Sequence, residues 1–313
     1  MEKKGSSSLN IALIHLDLGI GTFQVIVYGA FLPRHIFYHL DAVCAYLRCI
    51  FVAVCVMFIW PSFDVVLADQ VSVVIPFMKL KKSTKVVFYC HFPDLLLAQH
   101  TTILRQIYRK PIDFIEDVTT GTSLDPGFVS CMADLILVNS RFTASTFVGT
   151  FKHLHARGIK PAMLYPAVNV EQFDKPHAFK WLDKRLRENV EYLEELKSLA
   201  DRKVVSHKDE HFGIVPLEAM AAYKPVIACN SGGPVETIKN GMTGFLCGPS
   251  PQEFSSAMEK FIRDPQMAER MGSEARQHVV ESFSTYIGQH LNQILLDIAR
   301  GKDLPRLSQE RTI

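Results

Sequence analysis

Five short apolar runs in the first half of the chain, each ending in a turn, constrain its fold more than any other feature. They are Asn10–His15 before Gly19-Ile20-Gly21, Phe63–Ala68 before Asp69, Lys85–Cys90 before His91-Phe92-Pro93-Asp94, Asp134–Val138 before Asn139-Ser140, and Ala162–Tyr165 before Pro166. Runs of this length read as strands buried on both faces, and helical patterns between them, such as Phe142–Phe151, read as crossovers. The alternation predicts an α/β fold with a parallel, doubly wound sheet, in which ligands bind beyond the carboxyl ends of the strands. The turn residues that close each run are therefore the first candidates for chemistry.

The rhythm breaks over Asn169–Lys208, which is charged and helical in pattern and holds no convincing strand. It then resumes with a helix at Pro216–Tyr223, a strand at Pro225–Cys229, a turn at Ser231-Gly232-Gly233-Pro234, a helix at Val235–Lys239 and a strand at Gly244–Cys247. Gln252–Arg300 is helical, broken near Asp264-Pro265 and Ser282-Phe283-Ser284. This predicts a first lobe over 1–168, a second over 169–300 and a tail over 301–313, joined near Pro166–Phe173.

Composition removes several classes. A chain of 313 residues that is 48% hydrophobic can bury a sizeable core, and its formal charge of +2 gives no reason to expect nucleic-acid binding. Seven scattered cysteines without a Cys-x-x-Cys pair read as buried reduced thiols. The charged, Ser-rich start, followed by only four apolar residues at Ile11–Ile14, predicts no secretory signal peptide, and the lack of any Asn-x-Ser/Thr site points to the cytosol.

A mean hydropathy of +0.11 asks for a membrane explanation. Cys49–Trp60 has no charge, and extending it back to Val43 gives eighteen residues with Arg48 inside. A core helix or an in-plane membrane segment both fit that length. The aromatic end at Phe58-Ile59-Trp60 favours membrane association, so 43–60 is read as a membrane-associated segment, with Arg34, His35 and Arg48 at its polar edge. Lys79, Lys81, Lys82 and Lys85 form a basic hem that either meets anionic lipid or is a solvated loop between strands.

Chemistry concentrates in Glu210-His-Phe-Gly-Ile-Val-Pro-Leu-Glu218. Pro216 suits the first turn of a helix, which puts Glu218 on that turn and Glu210 in the preceding loop. Gly213 lets an anion approach the backbone near the helix N-terminus, and carboxylates flanking it can accept hydrogen bonds from sugar hydroxyls. A second strand-to-helix turn, Asn230-Ser-Gly-Gly-Pro234, repeats the pattern. Together they point to a nucleoside-diphosphate site. No Asp-x-Asp pair exists to clamp a metal on the diphosphate, so no metal is expected, and the leaving charge falls to helix N-termini and cationic side chains.

Glu210-x7-Glu218, Asn230-Ser-Gly-Gly-Pro234 and Gly244-Phe-Leu246 resemble the donor-binding half of the retaining GT-B glycosyltransferases of group 1. Leu16-Asp-Leu-Gly-Ile-Gly21, Phe88–Asp94 with the three leucines after it, Tyr108–Asp113, Ile136–Thr143 and Leu164–Pro166 are similar to the α-1,3/1,6-mannosyltransferase family of dolichol-linked oligosaccharide assembly. The resemblance implies a GT-B fold of two Rossmann-like lobes facing a cleft. It implies GDP-mannose as donor and a mannosylated chitobiosyl-diphosphodolichol as acceptor. The expected place is the cytosolic face of the endoplasmic reticulum membrane, where other mannosyltransferases of the pathway are potential partners. Carried over by position, Glu210 contacts the transferred mannose and His91 faces acceptor and sugar from the first lobe. Glu218 grips the nucleotide ribose, while Gly213, Gly232, Gly233 and Pro234 line the diphosphate side. Gly19 and Gly21 close over the donor.

Blocks of the family pattern are absent, so both lobes are expected to be incomplete. The βα unit that follows the first glycine turn is missing, as Thr22–Tyr28 runs almost directly into Phe31-Leu-Pro-Arg34. After Phe173-Asp174 the family's basic loop, which neutralises the donor pyrophosphate, has no equivalent, and Lys203 and Lys208 are the nearest substitutes. Ser123–Cys131 is inserted. Two alternatives stay open at this point, a non-catalytic membrane-associated subunit and a group 1 transferase using another nucleotide sugar.

Overall fold

The computed structural model describes residues 9–14, 31–33, 40–81, 83–97, 103–121, 133–173 and 210–301. They divide into two compact units, one drawn from Met1–Tyr165 and Gln289–Ile313, the other from Pro166–Gly288. The expected glycine turn at Gly19 and Gly21, Arg34, His35, Lys82, Cys131, the Ser123–Cys131 insert and the stretch holding Lys203 and Lys208 lie outside the described residues.

The first unit is built on five parallel strands, β1 (Ile11–Ile14), β2 (Val65–Asp69), β3 (Lys85–Cys90), β4 (Leu135–Val138) and β5 (Ala162–Met163), which neighbour one another in sequence order. β2 and β3 pair from Val65 opposite Lys85 to Asp69 opposite Tyr89. Val86, Val87 and Phe88 are buried, as expected of a central strand covered on both sides. The helices are α1 (Asp41–Ile59), α2 (Ile75–Lys79), α3 (Asp94–Leu97), α4 (Ile103–Thr120), α5 (Arg141–Thr150) and α6 (Lys152–Ala156). Phe147 and Phe151 are almost fully buried in a core shared with Ala53, Val66 and Ile136. Each such aromatic contributes about 1.5–3 kcal/mol. Ser140 caps α5 by accepting the Thr143 N–H at 2.9 Å.

Among the described strands β1 to β5 run in sequence order, and residues 15–30, where a strand beyond β1 would come, lie outside the described residues. The basic hem resolves. Lys79 and Lys85 both reach Asp134, at 2.9 and 3.5 Å. Burial raises the Asp134 carboxyl, but the Val86 N–H and the two ammonium groups outweigh it and hold the group below its ordinary value. These lysines join helix α2 and strand β3 to the start of β4, so they are not a free lipid-facing row.

In the second unit β6 (Val226–Cys229) and β7 (Gly244–Cys247) pair in parallel, Val226 opposite Gly244 and Cys229 opposite Cys247. Around them lie α7 (Ile214–Ala221), α8 (Pro234–Thr237), α9 (Pro251–Arg263) and α10 (Pro265–Ser282), and α11 (Thr285–Ala299) follows. Ser250 and Asp264 cap α9 and α10, each accepting the N–H three residues on, with proline next in line. Gly272 brings α10 against the backbone after α7, since a Cβ there would stand 2.2 Å from the Tyr223 carbonyl oxygen. Arg276 of α10 donates to the Ala221 carbonyl at 2.6 Å and to Val170 at 2.9 Å. A buried cation thereby closes the carboxyl end of α7, which fixes the helix whose other end carries the Glu210–Gly213 loop.

Candidate active site

The Glu210–Gly213 loop crosses the turn after β6. Gly233 donates its N–H to the Glu210 carbonyl at 2.7 Å. A Cβ on Gly232 would stand 2.2 Å from that same oxygen, and one on Gly233 2.3 Å from the Phe212 Cα. Gly232 is also left-handed, at φ 63. Both glycines are thus required by backbone passing against backbone. This sharpens their expected role. The Gly233 N–H is spent on the Glu210 carbonyl, so the turn positions the Glu210–Gly213 loop. Pro234 begins α8, a single turn of four residues.

Glu210 is exposed, and its Oε1 accepts the Gly213 N–H at 3.2 Å. Gly213 is the N-cap of α7 with φ 84, and it has no side chain with which to cap the helix. The first N–H groups of α7, on Ile214 and Val215, therefore have no intrahelical partner, and Gly213 offers them no side-chain cap. The result is a carboxylate beside an uncapped N-terminus, a pairing suited to a sugar phosphate. The helix begins two residues before Pro216, so Glu218 stands on its second turn and not on the first. Glu218 is exposed.

In the first unit, His91 follows β3 and Asp69 ends the neighbouring β2. The His91 Nε2 and Asp69 Oδ1 are 2.7 Å apart, and the Tyr89 ring lies 4.7 Å from the imidazole. With its side chain 42% exposed, the imidazole is reachable by a substrate. The carboxyl-end position of Asp69 was its only signal in the sequence; its pairing with His91 was not legible there. His91 belongs to one unit and Glu210, Gly213, Glu218, Gly232, Gly233 and Pro234 to the other.

Beneath His91 lies a buried acidic cluster. Glu116 of α4 accepts the Asp94 N–H at 2.8 Å, while Arg109 sits 3.5 Å from Asp113. Burial, then the neighbouring Asp94, pushes the Glu116 carboxyl up to about 8, and burial raises Asp94 as well. The other titratable groups facing it are Tyr46, Cys90, Arg109 and Asp113. A carboxyl raised in the folded state binds its proton more tightly there than in the unfolded chain. Its contribution to stability falls as pH rises from about 4.5 through about 8. Glu116→Gln keeps an acceptor for Asp94 without the charge. We expect it to be more stable than the parent at pH 9, by on the order of 2 kcal/mol, and close to it at pH 5. Chemical denaturation at pH 5, 7 and 9 reads this directly.

Comparison with known proteins places the chain. Residues 183–278 match the family described as glycosyl transferases group 1. The fold superposes on the crystal structure of Anabaena HepE in complex with UDP, with a TM-score of 0.56 and 16% identity over 81% of this chain and 82% of that one. Sucrose-phosphate synthase from Thermosynechococcus elongatus gives 0.55 and 16%, covering 84% and 79%. The fold is that of a GT-B glycosyltransferase. The chain is 39% identical over 325 residues to alpha-1,3/1,6-mannosyltransferase ALG2 of Homo sapiens, covering 78% of itself and 75% of that protein. It is 31% identical over 428 residues to ALG2 of Dictyostelium discoideum, covering 93% and 99%. The chain belongs to the ALG2 family of alpha-1,3/1,6-mannosyltransferases. An alignment of 428 positions against a chain of 313 leaves at least 115 positions without a residue here, in keeping with the blocks missing from the family pattern.

Proposed function

We propose that the chain transfers mannose from GDP-mannose, in α-1,3 and α-1,6 linkage, to a mannosylated chitobiosyl-diphosphodolichol at the cytosolic face of the endoplasmic reticulum membrane. The observation that carries this is the crossing of the Gly232-Gly233 turn with the Glu210–Gly213 loop, which sets a carboxylate beside the uncapped start of α7. In the reaction the bond from the sugar C1 to the GDP phosphate oxygen breaks with its electron pair going to GDP. A bond forms between C1 and an acceptor hydroxyl, whose proton is lost, and the configuration is retained. Glu210 faces the positive charge that grows on the sugar. The Ile214 and Val215 N–H groups meet the negative charge that grows on the diphosphate, and the site works without a metal. Glu218 holds the ribose, and the His91–Asp69 pair binds substrate hydroxyls.

Membrane placement is supported by α1. Its 19 residues span about 28 Å, and Ala42–Ile59 has a mean hydropathy of 2.5 with 28% of the stretch buried. Cys49 and Ala53 pack on the sheet while Leu47, Phe58 and Ile59 face outward. Ile107 and Phe114 of α4 are exposed too. A helix held to the core by one face lies along the bilayer surface by the other. The test supplies radiolabelled GDP-mannose and a dolichyl-diphosphate trisaccharide to the chain in detergent. The expected result is a longer, labelled lipid-linked product. Transfer from UDP-glucose alone would assign a different donor, and no product from any nucleotide sugar would favour a non-catalytic subunit.

A further inference from the structure

Every backbone polar group between His91 and Asp94 is taken, and side chains from elsewhere in the unit take most of them. Gln70, next to Asp69 at the end of β2, contributes most. Its Oε1 accepts the His91 N–H at 2.8 Å and the Phe92 N–H at 3.4 Å, and its Nε2 donates to the Phe92 carbonyl and the Asp94 carboxylate, both at 2.7 Å. Gln70 also donates its own N–H to the Tyr89 carbonyl at 2.8 Å. Thr143 donates to the His91 carbonyl at 3.2 Å, and Leu96 donates its N–H to Pro93 at 3.1 Å. Behind them Glu116 accepts the Asp94 N–H at 2.8 Å, and Arg109 donates to the Asp94 carbonyl at 3.3 Å.

Such completeness is what this loop requires, since Phe92 and Pro93 are buried and His91 and Asp94 partly so, and here protein groups rather than water supply it. It is also achieved with costly parts. Gln70 stands at φ 65, a left-handed backbone that side-chain-bearing residues rarely adopt, and Glu116 is a carboxyl only 6% exposed. Strained or desolvated residues persist where the surroundings require them, and here they converge on four residues at the ligand-binding end of the central strand. Consecutive residues divide the work. Asp69 holds the imidazole of His91, and Gln70 holds its backbone.

We propose that Gln70, backed by Glu116, is a positioning residue that fixes the His91 imidazole toward the substrate. The inference rests on the mannosyltransferase reading, in which His91 touches the sugar. Gln70→Gly is the informative variant, because glycine removes the carboxamide while relieving the left-handed backbone, which offsets part of the stability lost with its hydrogen bonds. Its turnover number should fall by about 10- to 100-fold with the KM for GDP-mannose nearly unchanged. Glu116→Ala should behave likewise, and Glu116→Gln, which keeps the acceptor for Asp94, should restore most of the rate. In a His91→Ala background, Gln70→Gly should change the rate less than about twofold, since its target is gone.

Equal effects of Gln70→Gly with and without His91 would overturn the proposal, as would a full rate for Gln70→Gly alone. Nitrogen shifts of the His91 ring, followed by NMR, decide the matter apart from activity. The parent should show one sharp set of ring signals, and Gln70→Gly should shift or broaden them. Identical spectra overturn the positioning role, whereas a chain that shows the spectral change but no transfer fails only the mannosyltransferase reading.

Discussion

Gly233→Val should weaken binding of GDP-mannose by at least about 100-fold and destabilise the second unit by roughly 3 kcal/mol. A Cβ at this position meets the Cα, C and O of Phe212 within 2.4 Å. Those atoms are backbone, so no rotamer change can make room. The 210–213 loop has to move away, and three things go with it. The Gly233 N–H loses the Glu210 carbonyl, Glu210 no longer stands beside the start of α7, and Phe212, only 4% exposed, pulls away from Phe283. Gly149→Ala is the control. That glycine lies in α5, and an added methyl group would meet nothing within 4 Å, so alanine should be neutral or stabilise by about 0.5–1 kcal/mol. Calorimetric titration with GDP-mannose and thermal melting of both variants check the pair. Parent-like affinity in Gly233→Val would mean that the donor loop does not depend on this crossing.

How much of this was legible in the sequence depends on how far apart the partners stand along the chain. β3 and β7 have the bounds expected for them, Lys85–Cys90 and Gly244–Cys247, because buried parallel strands are continuous apolar runs with sharp punctuation. β2 ends one residue later than expected, at Asp69. A terminal carboxylate reads as a turn residue, yet here it is the last rung of the ladder and faces His91. α7 begins at Ile214 because Gly213 supplies the left-handed cap, whereas Pro216 alone suggested the later start. Glu210, Gly213, Gly232 and Gly233 sit within one local pattern and could be picked out by spacing.

Gln70 and Arg276 could not. Gln70 works on residues 22 and 24 positions away, and Arg276 reaches Val170 across 106. Neither stands in a motif with a mechanism of its own. The lysine hem shows the same limit from the other side. Four cations in a row are equally consistent with lipid and with a carboxylate, and Asp134 is about fifty residues further on. Local pattern carries strands, caps and close glycine contacts; long-range polar pairing carries the positioning of the site.

Glu210 itself gives the second large effect, and two substitutions separate its two duties. The carboxylate ties the loop by accepting the Gly213 N–H at 3.2 Å, and in the proposed reaction it also faces the charge that develops on the sugar. Glu210→Gln retains a carbonyl oxygen for Gly213 but no charge. Its transfer rate should fall by about 100- to 10,000-fold, while affinity for GDP, which carries no mannose, stays within about twofold of the parent. Glu210→Ala removes both duties. Gly213 then loses the partner that holds it against the N-terminus of α7, so GDP binding should weaken by about 5- to 10-fold on top of the same loss of rate. Titration with GDP alongside single-turnover transfer distinguishes the two. If Glu210→Gln loses GDP affinity as severely as Glu210→Ala, the charge holds the nucleotide and the assignment of Glu210 to the sugar is wrong. If Glu210→Gln transfers mannose at the parent rate, the carboxylate serves only the loop, and the group facing the sugar has to be sought elsewhere in the site.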